Sequence, residues 1–217
     1  MLAEAEAPLE TPEEEKKKED SQPEEEKESL KKVFWEYVRM IASVVIVVFL
    51  LQTFVFVNAR IPSGSMEKTV MTGDRVYGNR LAYTFGEPER YDIAIFRYPD
   101  DESKLFIKRV IGLPGETVTI LEDGIHINGD EKPLTESFCP EIPDYSPWIG
   151  QSWTIPEGSY FMLGDNRNHS GDSRYWNNPF VAKKKILAKA GLRYWPLNKI
   201  SIVGRDDPSF YEPGGDS

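Results

Sequence analysis

The stretch IPSGSMEKTV, Ile61–Val70, places Ser63, Gly64 and Ser65 directly after a long apolar run. A serine in such a stretch is either a turn former or a nucleophile. As a nucleophile it needs a neighbouring base to take its proton, because a free hydroxyl is barely ionised at neutral pH. The whole chain holds two histidines, His126 and His169, so lysines must be weighed as bases alongside them.

Three bases remain open from spacing and local pattern. Lys68 completes S-x-x-K with Ser65, a signature of penicillin-binding proteins and β-lactamases. The companions S-D-N and K-T-G are missing, since Val70 follows Lys68-Thr69, and Pro62 and Gly64 stand where a helix would open. A histidine base would come from a strand (His126) or from the polar stretch GDNRNHSGDSR (His169), with no G-x-S-x-G elbow in the sequence. Lys108 lies in KLFIKRVIG, where strand alternation puts it on one face with Phe106 and Val110 and turns Ile107 and Arg109 the other way. An ammonium between apolar neighbours loses hydration, and its pKa falls from ~10.4 toward neutrality. A fall of about 3 costs about 4 kcal/mol, which the fold must supply.

The elements that would position these groups begin with charge. The chain has 217 residues and a net charge of −10. Residues 1–29 are runs of Glu and Lys with Pro and almost no large apolar side chains, so they are expected to be disordered. Outside that tail no basic face for nucleic acid is visible. One cysteine, Cys139, permits neither an internal disulfide nor a cysteine metal cluster, and it reads as a buried, unreactive thiol.

From Met40 to Val57 the sequence carries no charge. As a helix this stretch spans ~27 Å at ~1.5 Å per residue, close to a hydrocarbon core of ~30 Å. Trp35, Tyr37 and Arg39 suit the headgroup zone. A core helix would show more polar face. A cleaved leader ending at Val57-Asn58-Ala59 would have a shorter apolar core and no long acidic lead-in, so residues 30–58 are read as an uncleaved single-pass anchor. Lys27, Lys31, Lys32 and Arg39 precede it and Arg60, Lys68 and Arg75 follow, which sets the N-terminus on the cytoplasmic side.

Residues 59–217 read as a β-rich domain. RYDIAIFRYP, KLFIKRVIGLPGETVTIL, GIHINGDEKPL, SYFMLGDN and KILAKAGLRYWPL are strand signals separated by Gly, Pro and Asn turns. Asn128-Gly129 is a two-residue hairpin signal, and a short helix is expected near Pro179–Lys185. The Pro-rich residues 136–153 read as a long inserted loop. The expected fold is an open, coiled antiparallel sheet with few short helices.

Four segments together resemble the type I signal peptidases, membrane-anchored serine proteases that remove signal peptides: IPSGSM, GDRVYGN, KRVIGLPGE and GDNRNHSGDSR, in family order after an apolar span. RYWPLNKI, residues 193–200, resembles the family's closing strand. The resemblance implies Ser65 as nucleophile and Lys108 as general base, with no cofactor and no metal. It implies that Ser63 assists the oxyanion hole beside the Ser65 N–H, and that Ser170 hydrogen-bonds and orients the Lys108 amine. Arg109, Asp165, Asp172 and Arg174 would shape the site, with a surface ion-pair cluster as the plain alternative. Pocket walls for small substrate side chains would be Ile61, Pro62, Val76, Ile95, Phe106 and Ile107, with the preprotein bound as an added strand. The implied setting is a bacterial plasma membrane, with preproteins and the lipid bilayer as partners and the chain a monomer. Two departures stand out: Lys68 replaces the usual proline of the nucleophile motif, and Glu116 replaces an aspartate. The short insert implies that the accessory β domain of larger relatives is reduced to a loop.

Overall fold

The structure is a computed structural model and describes residues 12–139 and 141–203, with side chains considered from Leu30 onward. The chain divides near residue 50 into a helical unit and a β unit. Helix α1 runs Pro12–Phe54. Its part Leu30–Phe54, 25 residues, is long and apolar enough to cross a bilayer. Its apolar side chains are exposed, so it is not the buried core helix considered as an alternative. Residues 12–29 are helical where the composition suggests disorder. Glu and Lys are good helix formers, and this segment is rich in both. Residues 1–11 lie outside the described residues.

The helix stops earlier than the apolar run. Strand β1 is Phe56–Arg60, antiparallel to β2 (Arg75–Asn79), with Val57 and Ala59 buried and Phe56, Asn58 and Arg60 exposed. The run FVFVNA is apolar enough for lipid, but its last residues alternate and are captured by a sheet. The tripeptide Val57-Asn58-Ala59 is therefore paired backbone rather than an open cleavage site.

The remaining strands are β3 (Ile93–Tyr98), β4 (Asp101–Gly112), β5 (Thr117–Leu121), β6 (Gly124–Ile127), β7 (Ser152–Thr154), β8 (Ser159–Leu163), β9 (Phe180–Ala182), β10 (Ile186–Trp195) and β11 (Ser201–Ile202), with a one-turn helix α2 at Leu81–Thr84. The large sheet has the order β1-β2-β10-β3-β4-β8-β9, with β11 on β10, and all its pairs are antiparallel. Irregularities in β10 at Ala190/Leu192 and Arg193/Trp195 bend the sheet. Alternation in β3 sends Ile93 and Ile95 to a core with Ile61, Met66, Val76 and Ile107, and sends Ala94 and Phe96 to the opposite face with Val110, Met162 and Trp176.

Several expectations about this domain are corrected. The insert ends in β7, which joins β5 and β6 in a second, three-stranded sheet, so the accessory element is small but not merely a loop. Asn128 and Gly129 do adopt positive φ in a tight turn, but the chain then leaves without a returning strand; the hairpin partner of β6 is β5. The segment expected as a helix near Pro179–Lys185 is strand β9 followed by a single 3-10 turn, because β8 offers an edge for Phe180–Ala182 to pair with. Cys139 is half-buried, and burial pushes its thiol up to about 12.

Candidate active site

The turn carrying Ser65 is a 3-10 turn, Gly64–Met66, fixed at both ends. The Ile61 N–H donates to the Asp74 carbonyl at 3.0 Å, and the Val70 N–H to that of Met66 at 2.8 Å. Met66 is fully buried, and its burial pins the residue next to Ser65 in the core. From the other side, the Asn166 backbone N–H donates to the Ser65 carbonyl at 3.2 Å and its Nδ2 to the Gly64 carbonyl at 3.1 Å. Gly164 explains how the two segments come so close: a Cβ there would lie 2.4 Å from the Ser65 carbonyl oxygen and 2.2 Å from Ser170 Oγ.

Lys108 lies in β4 opposite Ala94. Its flanking residues Phe106 and Val110 belong to the same apolar cluster as Ala94, and its Nζ stands 5.9 Å over the Phe106 ring. The strand alternation read from sequence therefore holds. The Lys108 amine hydrogen-bonds Ser65 Oγ, and both side chains are buried. Burial pulls Lys108 down from 10.5 to about 8, against the carboxylates of Asp172 and Asp165, which pull it up, while Arg174 adds to the lowering.

The other candidate bases are placed differently. Lys68 is exposed, whereas Lys108 is enclosed among apolar side chains. His126 lies in β6, bonded to Asp123 and the Asp130 carbonyl. His169 is exposed, lines the cleft and contacts Asn166 Oδ1 at 3.4 Å. The backbone of Lys68 matters more than its side chain, because its φ is 69°. A proline, the residue usual in the resembling family, is locked near −65° and cannot sit there. Lys68→Pro is expected to destabilise the chain by about 2–3 kcal/mol. Lys68→Gly is expected to stabilise it by about 1 kcal/mol, because glycine adopts this conformation freely. Thermal unfolding of the two variants checks both signs.

The charged residues form buried pairs, not a surface cluster. Arg109 grips Asp165 through Nε at 2.8 Å and Nη2 at 2.7 Å, with Arg109 and Asp165 both fully buried. Thr69 adds its hydroxyl to Asp165 at 2.5 Å. Arg174 grips Asp172 at 2.8 and 2.9 Å, and Asp172 also accepts the Gly164 N–H at 3.1 Å. The insert covers these arginines with aromatic rings: Arg109 stands 4.0 Å over Phe138 and Arg174 4.6 Å over Trp148. Arg167, Glu136 and Tyr145 join in one buried bonded group. Sequence reasoning missed Asn166, Thr69, Arg167 and the aromatic cover. Asn166 and Arg167 stand inside the GDNRN segment and were open to notice; the cover is visible only in three dimensions.

Ser63 donates to Ser65 Oγ at 3.4 Å, a long bond. Ser170 is buried, but its hydroxyl has no partner among the described residues, so the expected bond to Lys108 is not made here. Ser170 Oγ instead packs on Gly164, the closest atom to a Cβ built there.

A cleft of 370 Å³ opens at Ser65 and Lys108. Ile61, Pro62, Ile95, Phe106 and Ile107 line it as expected, together with Ser63, Ser65 and Lys108. Val76 does not. It is fully buried behind the cleft in the core with Ile61 and Met66, because its strand β2 lies inside the sheet between β1 and β10. Leu105, Asn58 and Arg60 are lining residues that sequence reasoning did not name.

The pattern of the family described as signal peptidase, peptidase S26, matches residues 34–195. The chain belongs to this family. It is 36% identical to a probable signal peptidase I-2 of Synechocystis over 83% of this chain and 82% of that one. It is 34% identical to signal peptidase I of Pseudomonas aeruginosa (82% and 78%) and 37% identical to that of Leptolyngbya laminosa (78% and 83%). A solved signal peptidase I from Enterococcus faecalis is 34% identical over 48% of this chain and 96% of that one, with a TM-score of 0.38. The activity is that of a type I signal peptidase: a membrane serine endopeptidase that cleaves signal peptides from preproteins.

Proposed function

We propose that this peptidase works through a Ser65–Lys108 dyad, and the observation that carries the reading is the buried Lys108 amine bonded to the Ser65 hydroxyl. Neutral Lys108 takes the Ser65 proton as Oγ attacks the scissile carbonyl carbon. The C–N bond then breaks, Lys108 returns the proton to the leaving amine, and an acyl-serine remains. Water, deprotonated by the same amine, hydrolyses that ester. The Ser65 N–H and the Ser63 hydroxyl face the developing oxyanion; such donors are worth about 3 kcal/mol each. Ser170, buried with a free hydroxyl, turns to Lys108 when substrate closes the cleft.

The preprotein lies extended between Ile61–Ser63 and Leu105–Lys108. That part of β4 pairs with β3 on one side and runs beyond the last β8 partner, Leu163, on the other, so one edge is free for an added strand. Ile61, Pro62, Ile95, Phe106 and Ile107 form shallow pockets that accept small side chains one and three residues before the cleaved bond. Anchored by Leu30–Phe54 with its N-terminus cytoplasmic, the chain acts as a monomer on the outer face of a bacterial plasma membrane.

The pH dependence tests the base. With Lys108 at about 8, about one amine in ten is neutral at pH 7. kcat/KM is expected to rise tenfold per pH unit up to about pH 8 and then level. A flat profile, or a midpoint near ~6.5 where histidine titrates, would remove Lys108 from the role.

A further inference from the structure

Arg60 and Arg75 face each other directly across β1 and β2, and both are exposed. Like charges directly opposed on neighbouring strands destabilise a sheet. Neither arginine side chain has a hydrogen bond or ion pair among the described residues. The adjacent carboxylate, Asp74, is spent on Arg193 and on the Met71 N–H. Arg60 lines the catalytic cleft just upstream of Ile61 and Pro62. The ionisable side chains lining that cleft are Arg60, Lys108 and His169, with no carboxylate among them. A repulsion left uncompensated beside a cleft without carboxylates leaves an anion site open to whatever occupies the cleft.

We propose that Arg60, reinforced by Arg75, is a specificity-determining residue that binds an acidic side chain of the preprotein on the signal-peptide side of the cleaved bond and disfavours a basic one. The proposal rests on the reading of the cleft given above. With Ile61 and Pro62 at the pockets for residues one and three before the bond, a strand rising ~3.3 Å per residue brings roughly the fourth to sixth residue to Arg60. The guanidinium takes a carboxylate there as a bidentate partner, so the contact is directional as well as electrostatic. Arg75 does not line the cleft and acts by raising the local positive potential.

The test uses the full chain in neutral detergent and three preproteins identical except for Glu, Gln or Lys at the fifth residue before the cleaved bond. The expected kcat/KM order is Glu over Gln over Lys, with about tenfold between Glu and Lys at low salt, shrinking as salt rises. Arg60→Gln is expected to bring the Glu/Lys ratio close to one, Arg75→Gln to lower it about threefold, and Arg60→Lys to keep most of it. A Glu/Lys ratio that Arg60→Gln leaves unchanged overturns the proposal. So does an Arg60→Gln defect that is equal for all three substrates and seen only in phosphatidylglycerol vesicles, not phosphatidylcholine ones, since that result assigns the pair to lipid headgroups. Ser65→Ala separates the two readings. Cleavage that survives it removes the dyad and this proposal together, whereas Ser65-dependent cleavage with an unaltered ratio removes only the role of Arg60.

Discussion

Lys108→Met yields a chain that no longer cleaves preproteins yet unfolds later than the parent at pH 7. The loss of activity, on the order of 10⁴-fold or more, follows from removing the one group among the described residues that is bonded to the Ser65 hydroxyl and can accept its proton. Ser65→Ala loses as much, and the double variant loses no more than either single one, because the two groups act as a unit. The gain in stability has a separate cause. The folded chain binds the Lys108 proton less tightly than the unfolded one, at about 8 against 10.5, so burial of the ammonium costs up to about 3 kcal/mol below pH 8. Between pH 8 and 10.5 the unfolded state holds more protons, so the parent's stability rises with pH and the advantage of methionine fades. Denaturation in detergent at pH 7 and at pH 10 measures both ends of that window. Lys68→Ala is the comparison variant and retains most of its cleavage. An active Lys108→Met chain with a dead Lys68→Ala chain would revive the S-x-x-K reading.

Asp165→Asn is the substitution with the largest expected cost in stability. Arg109 and Asp165 are fully buried partners in a two-bond fork, and the guanidinium cannot shed its charge. Removing the carboxylate leaves a buried cation without an anion, at a cost of about 3–5 kcal/mol. The Thr69 hydroxyl loses a charged acceptor at the same time, which loosens the turn after Ser65. The pair Arg109→Met with Asp165→Leu is expected to lose less than Asp165→Asn alone, since no uncompensated charge remains. Urea denaturation of the two variants beside the parent decides the matter; a cost under about 1 kcal/mol for Asp165→Asn would show that water reaches the site and that the pair is not sealed.

Much of the site was legible because its residues cluster in short segments. The strand period put Lys108 with Phe106 and Val110, and the structure keeps that arrangement, which is the physical source of its lowered pKa. Local pattern could not distinguish lipid from sheet for Val57 and Ala59, since both environments select apolar residues. Nor could it tell a surface ion pair from a buried one: Arg109, Asp165, Asp172 and Arg174 carry charges that look solvated until Phe138 and Trp148 are seen to cover them. Val76 was misread for the same reason, because an apolar residue beside a nucleophile motif is a pocket wall or a core residue depending on which strand lies next to it.

The sequence by itself determined the chemistry available: one apolar helix, a run of alternating strands, a serine in a Gly-containing turn and a lysine set among apolar neighbours. These follow from local spacing, which needs no knowledge of distant partners. Tertiary structure alone decided which base meets which hydroxyl, because Ser65 and Lys108 lie 43 residues apart and are joined only when β4 packs against the turn of Gly64–Met66. It also decided the facing of Arg60 and Arg75, since strand register is set by pairing and not by either strand alone.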